Sequence, residues 1–301
     1  MHRIFLAVVV IISMFTFSCT NEKNEQIDNK TNTDSLGSVG VKKKISDEVV
    51  KDLIKSLPSP LELSVLIKST QVPYSAIMMN NYKRFSTYET SDKRALNIGV
   101  YGTDLGYAIM YENTEDAVHY VSSLRNLSTE LGLEKFYETE HVKKLASGPN
   151  NIDSLLFFTT SNFEMINDYL HEKNRSEQSI LIITGGWVEA MYISTQLLKK
   201  YPNQEIKERI AEQKITYERI MLLLDNYKND PGISDLTKEF NVLDSVFNKV
   251  SITYTLKEQK IREDDGVLYI DSQQESQVNF DADFIAEVTN EIEKIRTLVV
   301  E

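Results

Sequence analysis

The sequence predicts an all-α fold, a multi-helix bundle over residues 46–301 with one small β-hairpin near 252–272. Three observations carry that prediction. Beyond position 45 apolar residues recur at helical spacing almost throughout, capping residues stand in front of those runs, and Gly132, Gly148-Pro149 and Pro231-Gly232 punctuate them. The chain has 301 residues, 41% of them hydrophobic, which is enough apolar material for a large buried core.

The elements follow in chain order. A helix is expected after Ser46. A second begins at Ser59-Pro60-Leu61-Glu62, where a capping hydroxyl, a proline at the first helical position and a reciprocating glutamate stand together. Further helices are expected after Ser91, after Asn113, from about Glu134, from about Ile152, from about Glu177, after Asn203 and after Ser234. The last spans 283–300, with Phe284, Val288, Ile292, Ile295 and Leu298 on its apolar stripe. The hairpin is the exception to helical patterning. Ile252-Thr253-Tyr254-Thr255 and Val267-Leu268-Tyr269-Ile270 are rich in strand formers and lie on either side of Asp265-Gly266.

Two stretches, 95–111 and 179–201, are the most apolar helices, and each leads into a long amphipathic one. A shift of 84 residues lays Gly102 on Gly186 and Gly106 on Ala190, which suggests a two-unit pseudo-repeat. Gly99, Gly102 and Gly106 share one side of the first helix. Each costs about 1 kcal/mol relative to alanine, so close approach of a second helix is the expected reason for them. Each apolar helix also contains one acid, Asp104 in the first and Glu189 in the second. An unpaired buried carboxylate is costly, so each needs a partner, a wet cleft or a raised pKa. Packed side by side, the two helices would form a polar pocket lined by Tyr101, Asp104, Tyr111, Trp187, Glu189 and Tyr192.

The amino-terminal residues differ from the rest. His2 and Arg3 precede an apolar run from Ile4 to Phe17, then Ser18 and Cys19, the single cysteine of the chain. The run is shorter than the roughly 20 apolar residues that a spanning helix needs, and it has the layout of a secretory signal. This arrangement resembles the lipobox signal peptide of bacterial lipoproteins, with Thr16 and Phe17 where the family usually has leucine and a small residue. The resemblance covers about the first 20 residues, on the order of a signal peptide. It implies cleavage before Cys19, lipid on that cysteine and attachment to the cell envelope. Thr20 in the following position further resembles lipoproteins of the Gram-negative outer membrane. Residues 19–45 then read as a polar, flexible tether.

Function is less legible. Loss of residues 1–18 removes Arg3 and no acid, and leaves 45 acids and a net charge of −13 instead of −12. That balance opposes nucleic-acid binding, which needs clustered Lys and Arg. His119, His141 and His171 stand apart, so no metal site is expected, and no cofactor fingerprint is present. The Gly-x-His-x-x-Glu signature of imelysin-like proteins is absent around His119, and no Gly-x-Ser-x-Gly elbow occurs. The leading expectation is a noncatalytic scaffold or partner-binding domain, held to a membrane through Cys19 and joined to an envelope protein. The alternatives are a small-ligand binder using a cleft between helices 95–111 and 179–201, and an enzyme of another class.

Overall fold

A computed structural model describes residues 45–59, 61–137, 152–256, 260–264, 267–271 and 274–301. The apolar run, Cys19, the tether up to Lys44 and the Gly148-Pro149 break lie outside the described residues. The fold is an all-α multi-helix bundle with a small antiparallel ribbon. Its helices are α1 (Asp47–Lys55), α2 (Leu61–Ser69), α3 (Ser91–Met110), α4 (Thr114–Thr129), α5 (Ile152–Glu172), α6 (Ser176–Lys200), α7 (Gln204–Asn226), α8 (Pro231–Phe240), α9 (Val242–Phe247) and α10 (Phe284–Val300). Among the described residues no helix is long and apolar enough to cross a membrane.

Local chemistry starts these helices where their caps stand. The side chains of Ser46, Thr90, Asn113 and Asn203 each accept a backbone N–H of the first turn, which satisfies a donor that would otherwise be orphaned and is worth about 1 kcal/mol. Ile45, expected in the tether, already packs on the core and donates its N–H to Asn226 Oδ1 at 2.7 Å. Three expectations shift. The segment at Glu134 is a 3-10 turn, Glu134–Tyr137, as far as the described residues go. The helix expected after Ser234 starts four residues earlier, because Asp230 caps it and Pro231 takes its first position; Pro231-Gly232 therefore opens a helix instead of breaking one. In α10 the buried stripe ends on Val299 and Val300, and Leu298 faces outward at 44% exposure.

The ribbon is longer than the sequence suggested. Strands β1 (Val250–Leu256) and β4 (Gln274–Phe280) pair antiparallel with Ile252 opposite Val278, and β2 (Lys260–Asp264) pairs with β3 (Val267–Asp271). Ile252-Thr253-Tyr254-Thr255 thus pairs with residues 275–278, not with Val267-Leu268-Tyr269-Ile270. Asp265-Gly266 lies outside the described residues.

Helices α3 and α6 form the centre, buried along most of their length. They touch backbone to backbone. A Cβ on Gly99 would collide with the carbonyl of Ile182 and lie 2.6 Å from the Gly186 nitrogen, and one on Gly185 would collide with the carbonyl of Leu96. The contact is reciprocal, Leu96 against Gly185 and Ile182 against Gly99, so the residues it makes equivalent are 86 apart. The shift of 84 read from the sequence does not align this contact. Gly106 accommodates the side chain of Leu61, whereas a Cβ at Gly102 meets no atom within 4 Å.

The glycines therefore divide by neighbour. Gly99→Ala forces two backbones apart and should lower stability by about 3 kcal/mol or more. Gly102→Ala adds its methyl into open space and should raise stability by up to roughly 1 kcal/mol through helix propensity. Urea unfolding of the two variants beside wild type checks both signs.

Candidate functional site

The α3–α6 crossing brings Asp104 and Glu189 into the dry interior, each fully buried. Glu189 is held by Arg296 of α10 in a fork: Nε donates to Oε2 at 2.8 Å and Nη2 to Oε1 at 2.9 Å. The guanidinium also lies 4.0 Å from the ring centroid of Tyr192, so a cation, its carboxylate and an aromatic face make one assembly. Burial works against the charge on Arg296, but the adjacent Glu189 outweighs it and raises its pKa. Asp104 Oδ2 accepts the backbone N–H of Asn80 at 3.1 Å, and Oδ1 has no hydrogen-bond partner among the described residues. Burial first, and then the charge of Glu189, push the Asp104 carboxyl well above the ordinary value of 3.8; Arg296 and the Asn80 N–H oppose the shift without cancelling it. Burial therefore favours the neutral form of Asp104.

The six residues read from the sequence separate into three places. Asp104, Glu189 and Tyr192 meet around Arg296. Tyr101 and Tyr111 instead fasten an irregular strap, residues 72–82, onto α3 and α4. Tyr111 donates to the Val72 carbonyl (2.7 Å), Tyr120 to Asn80 (2.6 Å), Tyr101 to Asn81 (2.9 Å) and Ser123 Oγ to Tyr82 (2.8 Å). Tyr107 accepts from the Ser75 N–H at 3.2 Å. Burial raises the pKa of the Tyr101 and Tyr120 phenols, which remain donors. Trp187 belongs to a third group: its Nε1 donates to Gln213 Oε1 at 3.1 Å and its ring lies among Tyr217, Phe240 and Phe247. The six side chains are thus engaged in different hydrogen-bond groups and do not line one cavity among those described, although Asp104 and Tyr101 both hold the strap, at Asn80 and Asn81.

A cavity of about 130 Å³ does open beside α3 and α6, on a different side. Gly102 of α3, Phe163 and Ile166 of α5, Ile182 and Gly186 of α6, and Pro58 and Ser59 are among the residues that line it. None of the six residues lines it. Asn167 does: the side chain is buried, its Oδ1 accepts from Ser179 Oγ at 2.6 Å, and its Nδ2 has no hydrogen-bond partner among the described residues. A buried donor in that condition costs about 1–3 kcal/mol. Of the other polar groups at the cavity, Thr103 is engaged with the Gly186 carbonyl at 3.1 Å.

Sequence reading missed Arg296 and Asn167, though both carried a signal. Each occupies an apolar-stripe position of its helix, Arg296 four residues after Ile292 and Asn167 four after Phe163. Comparison with known proteins gives no further lead: no protein-family model, no curated protein and no solved structure matches the chain. Among the described residues no three His, Cys, Asp or Glu side chains are grouped as a metal site.

The protonated Asp104 sets a pH dependence with a definite sign. Its folded pKa is raised, so above about pH 4 the unfolded chain loses a proton that the folded chain keeps, and stability falls as pH rises toward the folded value. Asp104→Asn removes that titration. Its stability relative to wild type should increase with pH above about 4, by up to 1.4 kcal/mol per unit. Urea unfolding of both proteins from pH 4 to 8 measures the slope, and parallel curves would show that Asp104 is ionised when folded.

Proposed function

We propose that this chain is a membrane-tethered, noncatalytic domain that binds a small, mostly apolar molecule in the cavity between α3, α5 and α6. The observation that carries this reading is the cavity itself, where Gly102 leaves helix backbone uncovered and the walls are predominantly apolar. Gly102 supports it further. A mid-helix glycine that no neighbour requires is unfavourable, yet alanine there would narrow the space. A closely packed interior seldom keeps voids larger than a few waters, and at about 130 Å³ this one approaches the engineered apolar cavity of about 150 Å³ that takes up benzene.

The acid pair speaks against catalysis at the α3–α6 crossing. Glu189 is fully engaged by Arg296, and neither it nor Asp104 lines the cavity, so no substrate held there would meet them. The tether reading rests on Cys19 alone, the single cysteine directly after the apolar run. A scaffold role stays a second reading, favoured by the same resemblance.

Two outcomes are expected. Saturating toluene or ethylbenzene should raise the melting temperature of the wild-type domain by on the order of 3 °C, the size expected for binding at about ten times Kd in a domain this large. Gly102→Leu, which fills the cavity, should melt at least as high and show no rise. Loss of the rise only in that variant supports the site; a rise in neither protein removes it. Separately, the full chain should fractionate with membranes and carry acyl mass on Cys19, and Cys19→Ala should appear in the soluble fraction.

A further inference from the structure

We infer that a second cleft, between the end of α6, the first turn of α7 and the start of α10, binds a monocarboxylate with an apolar body, and that Lys207 holds the carboxylate. This cleft shares no lining residue with the cavity between α3, α5 and α6, so the inference stands whether or not that cavity takes a ligand. Its volume is about 600 Å³, within the range of roughly 300–1,000 Å³ that small-molecule sites occupy. Ala282, just before α10, and Ala286 in its first turn line it with side chains too short to fill the space.

Charge selects an anion. The chain has 45 acids against 33 lysines and arginines, yet the described lining of this cleft holds two lysines, Lys199 and Lys207, and no acid. Lys199 is already neutralised, because it pairs with Glu293, which also accepts from Gln196 Nε2 at 2.6 Å. Lys207 is not. It is half-buried, and its ammonium has no acid or carbonyl partner among the described residues. Half-buried lysines elsewhere do have one: Lys214 donates to the Val250 carbonyl at 2.7 Å and Lys249 to Asp283 at 3.1 Å. One unmatched positive charge calls for one negative charge. A cation would be repelled, and a dianion such as a phosphate monoester would bring a second charge with only the occupied Lys199 to meet it. The rest of the surface suits carbon. Leu198, Phe280 and Ile285 are apolar, while the hydroxyls of Thr195 and Thr289 already donate to the Tyr192 and Ile285 carbonyls, at 2.9 and 2.5 Å. Gln204 directs its amide to Glu208 at 2.9 Å.

The test uses 2-naphthoate and 2-naphthamide, which have the same shape and differ in charge, and whose fused rings exceed the benzene-sized molecules that a cavity of about 130 Å³ admits. In an amide-resonance titration of the full chain, naphthoate should bind about tenfold more tightly than naphthamide, the size of one charge-assisted hydrogen bond at a partly exposed site. The shifted resonances should include Gln204, Lys207 and Ala286. Lys207→Met keeps the aliphatic stem and loses the charge, and should bind the two probes alike. Ala286→Leu fills the cleft at an exposed position, leaves Lys207 in place and should bind neither; it decides the matter should Lys207→Met fail to fold. Equal affinity of wild type for the two probes, a preference that survives in Lys207→Met, undiminished binding in Ala286→Leu, shifts confined to residues outside the cleft, or no shift with either probe would each overturn the inference.

Discussion

Helices α3 and α6 touch through backbone atoms at Gly99 and Gly185, and that single contact sets the conditions for the rest of the interior. Asp104 and Glu189, carried on these two helices, are both fully buried. A carboxylate there must be neutralised or protonated. The protein does both, the first by bringing Arg296 from α10 to Glu189 and the second by leaving Asp104 as an acid. Helix α10 is consequently held at its end as well as its middle. Asn97 donates to the Val299 carbonyl at 2.9 Å, Tyr88 reaches Val300, and Lys93 reaches Leu298, so carbonyls of the last turn are satisfied by α3 and its neighbourhood.

A buried ion pair is poor evidence for stability, since well-packed apolar residues often do as well, whereas deleting one partner commonly costs about 3–5 kcal/mol. What the fork of Arg296 on Glu189 supplies is position. Any docking of α10 shifted by one residue would bury a guanidinium against carbon. The strap at 72–82 obeys the same logic with backbone groups. It has no strand or α-helix to satisfy its carbonyls, and hydroxyls from Tyr101, Tyr111, Tyr120 and Ser123 do so one by one. The tyrosines that look like a ligand's aromatic lining are therefore the strap's hydrogen-bond donors.

The boundaries of the helices were readable because their causes are local. Ser46, Asn113 and Asn203 cap within three residues of themselves, and no tertiary knowledge is needed to see it. The acids Asp104 and Glu189 were readable as an anomaly, polar groups in apolar helices, and they do meet. Their partner carried a weaker signal, a charge four residues after Ile292 at the edge of the apolar stripe. Arg296 lies 107 residues from Glu189, and placing Leu298 on the buried stripe rotated α10 enough to put Arg296 on its solvent side. The small ribbon was readable from strand propensity at Ile252 and Val267, but its pairing was not, because the match of Ile252 with Val278 depends on how the whole stretch folds back. The cavity had no sequence signature beyond Gly102, because open space is made by the mutual placement of three helices and belongs to no segment of its own.

The interior thus holds two kinds of polar group, those that are fully engaged and those left without a partner. Around Arg296 both oxygens of Glu189 are used, and the remaining acid is protonated, so a newcomer would have to break a bond to make one. At Asn167 the oxygen accepts from Ser179, while the nitrogen has no hydrogen-bond partner among the described residues. Buried polar atoms without a partner remain also on Ser128, Thr184 and Asn226 among the described residues, so close packing wins over full hydrogen bonding at several places in this interior.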